Sequence, residues 1–207
     1  MNRALQKRLF QITTGVLLGL LAVFWIFRPK STEPTSTQES YFLPDPIPAP
    51  AFTLTSHEGE TITSDAMGAR LAAVFFGYTS CPDVCPLTLA HLARVLEDLG
   101  EKAEGIQVLF VTVDPDRDTP ERMDVYLDSF HPSFLGLTGT EEEIREVANS
   151  FGAFFAKSGE GDAYTVDHTA RTFIVSPQGH IPLTFPVTAT PEEMARDLTL
   201  LLEGILP

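Results

Sequence analysis

Residues 71–100 decide the fold, and they read LAAVFFGYTSCPDVCPLTLAHLARVLEDLG. The first part, Leu71–Tyr78, is an uninterrupted apolar run, which is typical of a strand buried on both faces of a sheet. Pro86 suits the first position of a helix, and Gly100 suits the position just after its end. Leucines recur between them at spacings of three and four residues and predict one buried helix face: Leu89, Leu92, Leu96 and Leu99. A buried strand followed by an amphipathic helix is typical of an α/β domain.

The same alternation continues toward the carboxyl terminus. Gln107–Val113 is a second continuous apolar run and predicts a second buried strand, and Phe134–Leu137 predicts a short one. Between them, a helix is predicted from the Thr119-Pro120 pair through Phe130. Two capping boxes mark the starts of the last two helices: Thr140 with Glu143, and Thr190 with Glu193.

Two hairpins frame this alternation. Phe52–Thr55 and Thr61–Thr63 flank a turn that contains Gly59, so they predict a hairpin at the start of the domain. Arg171–Ser176 and Ile181–Phe185 flank a Pro-Gln-Gly turn and predict a closing hairpin. The whole order predicts a three-layer α/β domain of thioredoxin-like order with an extra N-terminal β-hairpin.

The composition excludes several classes of protein. The 207-residue chain carries 14 basic and 28 acidic side chains, a formal net charge of −14, and 43% of it is hydrophobic. It is therefore neither disordered nor a nucleic-acid-binding protein, and two cysteines are too few for a disulfide-dense small domain. Residues 1–40 hold five basic and two acidic side chains, so the remainder has a net charge of −17. That acidity favours a cation, a basic protein surface or a metal ion as the partner.

The amino-terminal segment is predicted to be a membrane anchor. No charged residue occurs from Leu9 to Phe27, and these 19 residues of helix would be about 28 Å long, enough to cross a bilayer. The alternatives are a cleaved signal peptide and a buried core helix. The run Phe24–Arg28 offers no cleavage site with small residues, and the segment has no polar stripe and stands apart at one end. We therefore favour an uncleaved transmembrane helix.

This interpretation divides the chain into three parts. Residues 1–30 are the anchor, residues 31–50 are a Pro/Ser/Thr-rich linker, and residues 51–207 are the thioredoxin-like domain. Basic side chains are slightly more numerous before the apolar run than after it, which favours a cytoplasmic amino terminus and a domain on the periplasmic or outer face. Because an Arg- and Ser-rich amphipathic presequence is lacking, we expect a single-pass protein of the bacterial inner (cytoplasmic) membrane.

Cys81 and Cys85 lie where the first long strand meets its helix, in the stretch GYTSCPDVCP of residues 77–86. Unpaired backbone N–H groups and the positive end of the helix dipole favour a thiolate over a thiol at this point. A spacing of four residues in a helical turn brings the two sulfur atoms close enough to form a disulfide or to share a metal ion. The pair is either a structural disulfide or a functional site. A bridge that closes only three intervening residues constrains the unfolded chain little, which favours function.

If the cysteines bind a metal ion, two thiolates favour Cu(I) or zinc, and an imidazole suits both as a third ligand. His168 immediately precedes the closing hairpin, whose loop lies beside the cysteine loop in a thioredoxin-like fold, so it is the best candidate. We expect His91 on a solvated helix face. His57 is expected in a turn, His131 at a helix end and His180 at the start of a strand.

The stretch DPDRDTP of residues 114–120 follows the second long strand, at the end of the sheet where α/β folds place their sites. Two interpretations are open. In the first, Asp118 or Thr119 caps the next helix and Arg117 pairs locally. In the second, this acidic loop docks a basic patch of a partner protein.

Several stretches together resemble the Sco/SenC family of membrane-anchored copper chaperones: residues 77–86, quoted above, residues 113–120 (VDPDRDTP), residues 166–169 (VDHT) and residues 176–179 (SPQG). The resemblance covers roughly Phe52–Leu202. It implies a thioredoxin-like domain tethered by one transmembrane helix, in which Cys81, Cys85 and His168 bind copper. Ser80 departs from the family, many of whose members carry a bulkier residue or a histidine there.

The resemblance implies copper as the bound metal, as Cu(I) and, because an imidazole is a harder ligand, also as Cu(II). It implies a metallochaperone that delivers copper to the binuclear copper centre of a membrane-embedded cytochrome c oxidase subunit. A thioredoxin-like reductant and another copper chaperone are further candidate partners. The alternative is a thiol-disulfide oxidoreductase that reduces the copper-site cysteines of that subunit, with Cys81 attacking and Cys85 resolving. The Cys-x-x-x-Cys spacing and the lack of a proline just before the Thr172 strand argue against this enzyme.

Overall fold

The computed structural model describes residues 41–159 and 161–205 of the chain. The predicted anchor, residues 1–30, and the first ten residues of the predicted linker lie outside the described residues, so both stay predictions. Among the residues that are described, no helix is both long enough and apolar enough to cross a membrane.

Ten strands and four α-helices follow one another in the described residues. The strands are β1 (Phe42–Pro48), β2 (Thr53–Ser56), β3 (Thr61–Thr63), β4 (Leu71–Gly77), β5 (Ile106–Thr112), β6 (Leu135–Thr138), β7 (Phe155–Ser158), β8 (Thr165–His168), β9 (Arg171–Val175) and β10 (His180–Pro186). The helices are α1 (Val84–Leu99), α2 (Pro120–Asp128), α3 (Glu141–Ser150) and α4 (Pro191–Leu202). Short 3-10 helices cover Ser64–Met67, Gly100–Gly105 and Gly161–Ala163.

Eight of these strands form one mixed sheet in the order β1-β10-β9-β4-β5-β6-β2-β3, and β7 pairs with β8 in a separate hairpin. In the centre, β4, β5 and β6 run parallel, and β9 is antiparallel to β4. Every residue of β4 is buried, as its apolar run predicts. The parallel register places the ends of β4 and β5 side by side, because Gly77 lies opposite Thr112. The loops that follow these two strands are therefore neighbours.

Helices cover both faces of the sheet. Phe75 and Phe76 point to opposite faces of β4, because side chains alternate along a strand. On the Phe75 face, the Phe110 ring of β5 lies 5.9 Å from the ring of Tyr126 in α2. On the other face, the Phe76 ring lies 5.6 Å from that of Phe151, which follows α3. With α4 packed against α1, the domain has the three layers that the sequence predicts.

The structure confirms the local signals for helices and hairpins. Thr119 caps α2, where its side chain accepts a hydrogen bond from the Arg122 N–H, and Pro120 takes the first position. The hairpins β2–β3 and β9–β10 also form as predicted. Both capping boxes are present, at the starts of α3 and α4: Thr140 with Glu143, and Thr190 with Glu193.

The start of α1 and the carboxyl end of the linker differ from the prediction. The helix α1 begins at Val84, so Pro86 is its third residue rather than its first. Proline is tolerated there because no N–H in the first turn has a partner within the helix. The predicted linker, residues 31–50, is also corrected at its carboxyl end, because β1 occupies Phe42–Pro48. Prolines are tolerated in β1 because it is an edge strand with one neighbour, β10.

Candidate metal centre

The cysteine loop connects β4 to α1 and carries Cys81, and Cys85 is the second residue of α1. Both cysteines are free thiols in this structure; Cys85 is buried and Cys81 is half-buried. The Cys81 N–H donates a hydrogen bond to the Tyr78 carbonyl at 3.2 Å, which folds the loop back on the strand end. The pair therefore has one sulfur turned toward the core and one within reach of a partner.

His168 reaches this pair from the end of β8. Its Nε2 atom lies 3.4 Å from the Cys85 Sγ atom. The candidate ligand atoms of Cys81, Cys85 and His168 all lie within 4.8 Å of one another. Among the described residues, this is the only such group of three or more histidine, cysteine or acidic side chains. The structure thus brings together the three residues that the sequence analysis selected.

The orientation of the imidazole suits a metal ligand. The ring of His168 stands edge-on to the rings of Phe75 and Tyr78, at centroid distances of 6.1 and 5.8 Å. Its Nδ1 atom lies 3.4 Å from the Thr169 carbonyl oxygen, which accepts a hydrogen bond in the tautomer that carries the proton on Nδ1. That tautomer leaves the Nε2 lone pair directed at the cysteines.

The two thiols have opposite pKa shifts. The Cys85 thiol donates a hydrogen bond to the Cys81 sulfur, and this bond lowers the pKa of Cys81 to about 4. Backbone hydrogen bonds from Asp83 and Cys85 also lower it, against the effect of burial. The same Cys81–Cys85 bond, together with burial, raises the pKa of Cys85. The two shifts favour a thiolate on Cys81 and a proton on Cys85.

This asymmetry predicts how alkylation of Cys81 depends on pH. Only the thiolate reacts, so the rate with iodoacetamide should be constant from about pH 6 to 8 and should fall as the pH drops through about 4. The Cys85→Ala variant lacks the donor and should react faster as the pH rises toward the ordinary thiol pKa of about 8.5. The measurement is the alkylation rate against pH by mass spectrometry. A parent profile that rises between pH 7 and 9 would contradict the assigned thiolate.

Gly77 makes room for the buried sulfur. A Cβ atom at this position would lie 2.8 Å from Cys85 Sγ, 2.9 Å from Phe110 Cε2 and 3.0 Å from Phe75 Cε1. Carbon and sulfur atoms do not approach so closely without displacement. The last residue of β4 is therefore glycine because the Cys85 side chain packs directly on the backbone there.

Two of the three acidic side chains in the loop after β5 belong to a buried network, and the third, Asp116, is exposed. Asp114 and Asp118 are both almost fully buried. The Asp118 carboxylate accepts hydrogen bonds from Thr79 and Thr112, and burial raises its pKa. Arg117 pairs with Asp114, as the local interpretation predicts. The docking interpretation does not hold for these two carboxylates, because neither reaches solvent.

The other histidines have local roles. The side chain of His57 is buried, and its Nδ1 accepts a hydrogen bond from the Gly136 N–H at 3.1 Å. His131 bonds to Ser133. His180 is exposed, whereas His91 is half-buried rather than solvated. In the described part of the chain, none of them joins a cluster of candidate metal ligands.

The sequence did not predict the β7–β8 hairpin, which carries His168, or the contact by which Tyr164 holds it. Tyr164, just before β8, donates a hydrogen bond from its hydroxyl to Asp114 Oδ1 at 2.5 Å. The hairpin has few buried residues, chiefly Phe155 in β7 and Val166 in β8. No alternation of apolar and polar residues long enough to predict either strand is present, so the sequence carried no signal for them.

Comparisons with known proteins place these features in a family. A family model described as SCO1/SenC matches residues 44–203. A SCO2-like protein of Rickettsia conorii is 33% identical over 187 residues, which cover 88% of this chain and 91% of that protein. The copper-bound structure of Bradyrhizobium japonicum ScoI matches with a TM-score of 0.68 and 39% identity, over 74% of this chain and 98% of that one.

A third match is BsSco, described as a member of the Sco family of cytochrome c oxidase assembly proteins in which a disulfide switch was identified. It is 25% identical with a TM-score of 0.62, over 78% of this chain and 98% of that one. The mixed α/β, thioredoxin-like arrangement described above is therefore shared with solved Sco structures.

Proposed function

The chain belongs to the SCO1/SenC family, and from this premise we propose that it binds copper and delivers it to the binuclear copper centre of a cytochrome c oxidase subunit. The proposed ligands are Cys81, Cys85 and His168. The observation that carries the proposal is the distance of 3.4 Å between Cys85 Sγ and His168 Nε2, which adds an imidazole to a dithiol. A dithiol enzyme has no need of that third ligand.

The chemistry of the three side chains suits copper as cargo. Two thiolates are soft ligands and select Cu(I), and an imidazole completes a site of low coordination number. The imidazole also makes the site acceptable to Cu(II), which prefers harder nitrogen ligands. Copper-bound structures of ScoI from Bradyrhizobium japonicum and Arabidopsis thaliana support this choice of metal.

Loading and release follow from the different positions of the two sulfur atoms. On loading, Cu(I) displaces the proton of Cys85 and binds the thiolate already present on Cys81. Cys81 is the more exposed of the two, so a thiolate of the acceptor reaches the ion on that side. The acceptor thiolate bonds to copper as the Cys81–copper bond breaks, and Cys85 takes up a proton when the ion leaves. No electron is transferred in this exchange.

A second candidate function is reduction of the acceptor's cysteines, and the low pKa of Cys81 favours it. The Cys81 thiolate would attack a partner disulfide and release one partner thiolate. Cys85 would then lose its proton, attack the Cys81 sulfur and release the second one. Two electrons pass to the partner, and the Cys81/Cys85 pair ends as a disulfide. Because that disulfide does not bind copper, a single molecule can perform only one of the two functions at a time.

Replacement of His168 separates the two functions. In the His168→Ala variant, a chaperone should lose affinity for Cu(I) by about 100-fold, because one of three ligands is gone. A dithiol oxidoreductase should keep most of its rate of thiol-disulfide exchange, because neither sulfur is changed. The measurements are competition with a chromophoric Cu(I) chelator and the rate of reduction of a disulfide peptide.

The parent affinity in His168→Ala would rule out the proposed ligand set. A large loss of the exchange rate in the same variant would show that His168 serves the redox chemistry instead. The matched control is His180→Ala, which removes an exposed imidazole at the start of β10 and should change neither quantity.

The predicted location adds a further test. We propose that residues 1–30 anchor the domain at the bacterial inner membrane, with the domain on the periplasmic or outer face. Replacement of Met1–Lys30 by a cleavable export signal should leave Cu(I) affinity unchanged and lower the yield of mature oxidase, because tethering raises the effective concentration near a membrane partner. Oxidase activity in membranes measures the yield. An unchanged yield would show that tethering contributes nothing to delivery.

A further inference from the structure

The loop between β5 and α2, residues 114–119, contacts both segments that carry the candidate ligands. We propose that this loop positions the cysteine pair and His168 relative to each other, so that three ligands rather than two reach the ion. Asp118 holds the cysteine loop, and Arg117 holds the β7–β8 hairpin. The inference rests on the proposed function and deepens it, because it assigns positioning residues to the copper site.

The contact with the cysteine loop runs through the Asp118 carboxylate. Its Oδ2 atom accepts hydrogen bonds from the Thr79 N–H at 3.0 Å and the Thr112 hydroxyl at 2.7 Å. Its Oδ1 atom accepts one from the Thr79 hydroxyl at 2.6 Å. Thr79 stands two residues before Cys81, so the carboxylate holds the start of the loop by backbone and side chain at once. A carboxylate that is 1% exposed cannot give up these donors to water, which keeps the loop in place.

The contact with the hairpin runs through the Arg117 guanidinium. Its Nε donates to Asp114, and an Nη atom donates to the Tyr164 carbonyl at 2.9 Å. The guanidinium carbon also lies 3.7 Å from the centroid of the Tyr164 ring. The Tyr164 hydroxyl donates a hydrogen bond to Asp114, so Asp114, Arg117 and Tyr164 all contact one another. Only a planar cation with several donors can hold a carboxylate, a carbonyl and a ring together.

The hairpin depends on such contacts because it is not a strand of the main sheet. The strands β7 and β8 pair only with each other in the described structure. Elsewhere on the hairpin, Lys157 pairs with Asp116 at 2.7 Å, but the aspartate is mostly exposed and such pairs contribute little. Tyr164 immediately precedes β8, whose last residue is His168. A shift at Tyr164 therefore moves the imidazole relative to the cysteines.

The two contacts predict different effects of substitution on Cu(I) affinity. Arg117→Lys keeps the charge but cannot make all three contacts, and it should lower the affinity about tenfold, as loss of a residue that orients a metal ligand does. In a His168→Ala background, Arg117→Lys should not lower the Cu(I) affinity any further, because no imidazole is left to position. Asp118→Asn places an amide N–H₂ group against the Thr79 and Thr112 groups, which are themselves donors. It should lower the Cu(I) affinity about tenfold in both backgrounds, because it changes the position of the thiolates rather than that of the imidazole.

The experiment is a double-mutant cycle on the full-length chain, with a chromophoric Cu(I) chelator as competitor. The matched control is Arg94→Lys, whose arginine also binds an aspartate, Asp98, through Nε, but on the exposed side of α1. It should leave the affinity unchanged. The ¹⁵N signal of the His168 ring should shift on addition of Cu(I) in the parent, and it should shift much less in Arg117→Lys.

The outcomes are distinguishable. If the losses in Arg117→Lys and His168→Ala multiply, Arg117 does not act through the histidine and the inference is wrong. Parental affinity in Asp118→Asn would overturn the contact with the cysteine loop. Parental affinity in His168→Ala would overturn the proposed function itself. Where Arg117→Lys does not fold, Tyr164→Phe removes only the hydroxyl bond to Asp114. It should show about a threefold loss that vanishes in the His168→Ala background, and no loss would overturn the inference.

Discussion

Replacement of either cysteine by serine should lower the affinity for Cu(I) by about 1000-fold. Metal binding at a three-ligand site of this kind contributes roughly 12 kcal/mol, and one thiolate contributes about a third of it, or about 4 kcal/mol, which corresponds to about 1000-fold in affinity. The serine hydroxyl is a hard ligand that stays protonated at neutral pH, so it does not take the place of the sulfur. Competition with a chromophoric Cu(I) chelator measures the loss in Cys81→Ser and Cys85→Ser.

The matched control for these variants is Ala90→Ser. It introduces the same hydroxyl on an exposed position of α1, the helix whose second residue is Cys85, and it should leave the affinity unchanged. Thermal unfolding of each variant checks that the domain is folded. A cysteine variant that folds and retains the parent affinity would show that its sulfur is not a ligand.

The second large effect is expected from one methyl group at the end of β4. Gly77→Ala would force a Cβ atom against Cys85 Sγ at 2.8 Å and against the ring of Phe110 at 2.9 Å. Overpacking of a filled core costs about 1–3 kcal/mol of unfolding free energy. Because the displaced group is itself a candidate ligand, the Cu(I) affinity should fall as well, by about tenfold. Chemical unfolding and chelator competition measure the two quantities.

Gly105→Ala is the control for Gly77→Ala. Its Cβ atom would meet only the end of the flexible Leu202 side chain, at 2.8 Å, which can turn aside. We expect a change in unfolding free energy of less than about 1 kcal/mol and no change in affinity. Equal destabilisation by the two substitutions, or an unchanged affinity in Gly77→Ala, would mean that the contact between Gly77 and Cys85 does not shape the site.

The central strands and the helix starts could be predicted because their signals are local. The apolar run of β4 needs neighbours on both faces whatever the rest of the chain does. The Thr140 and Thr190 side chains cap α3 and α4 through bonds to residues only three positions away. Such signals survive in a single sequence, since sequence neighbours are also spatial neighbours.

Other features depend on residues that are far apart in the chain. The strand β1 could not be predicted because it contains three prolines, and it forms as an edge strand by pairing with β10. The sequence predicts Asp118 as a turn or cap residue. Its burial depends on hydrogen bonds donated by Thr79, which is 39 residues away in the chain. His168 could be placed near the cysteines through the predicted fold, but the hairpin that carries it could not be predicted. Its position rests on side-chain contacts such as that between Arg117 and Tyr164.

The most direct test of the central claim is X-ray absorption spectroscopy of the chain loaded with one Cu(I). We expect two sulfur neighbours and one nitrogen neighbour, with the outer-shell scattering of an imidazole. In His168→Ala the imidazole scattering should disappear while both sulfur neighbours remain. A parent spectrum with a single sulfur neighbour, or with two sulfur neighbours and no imidazole, would contradict the site formed by Cys81, Cys85 and His168.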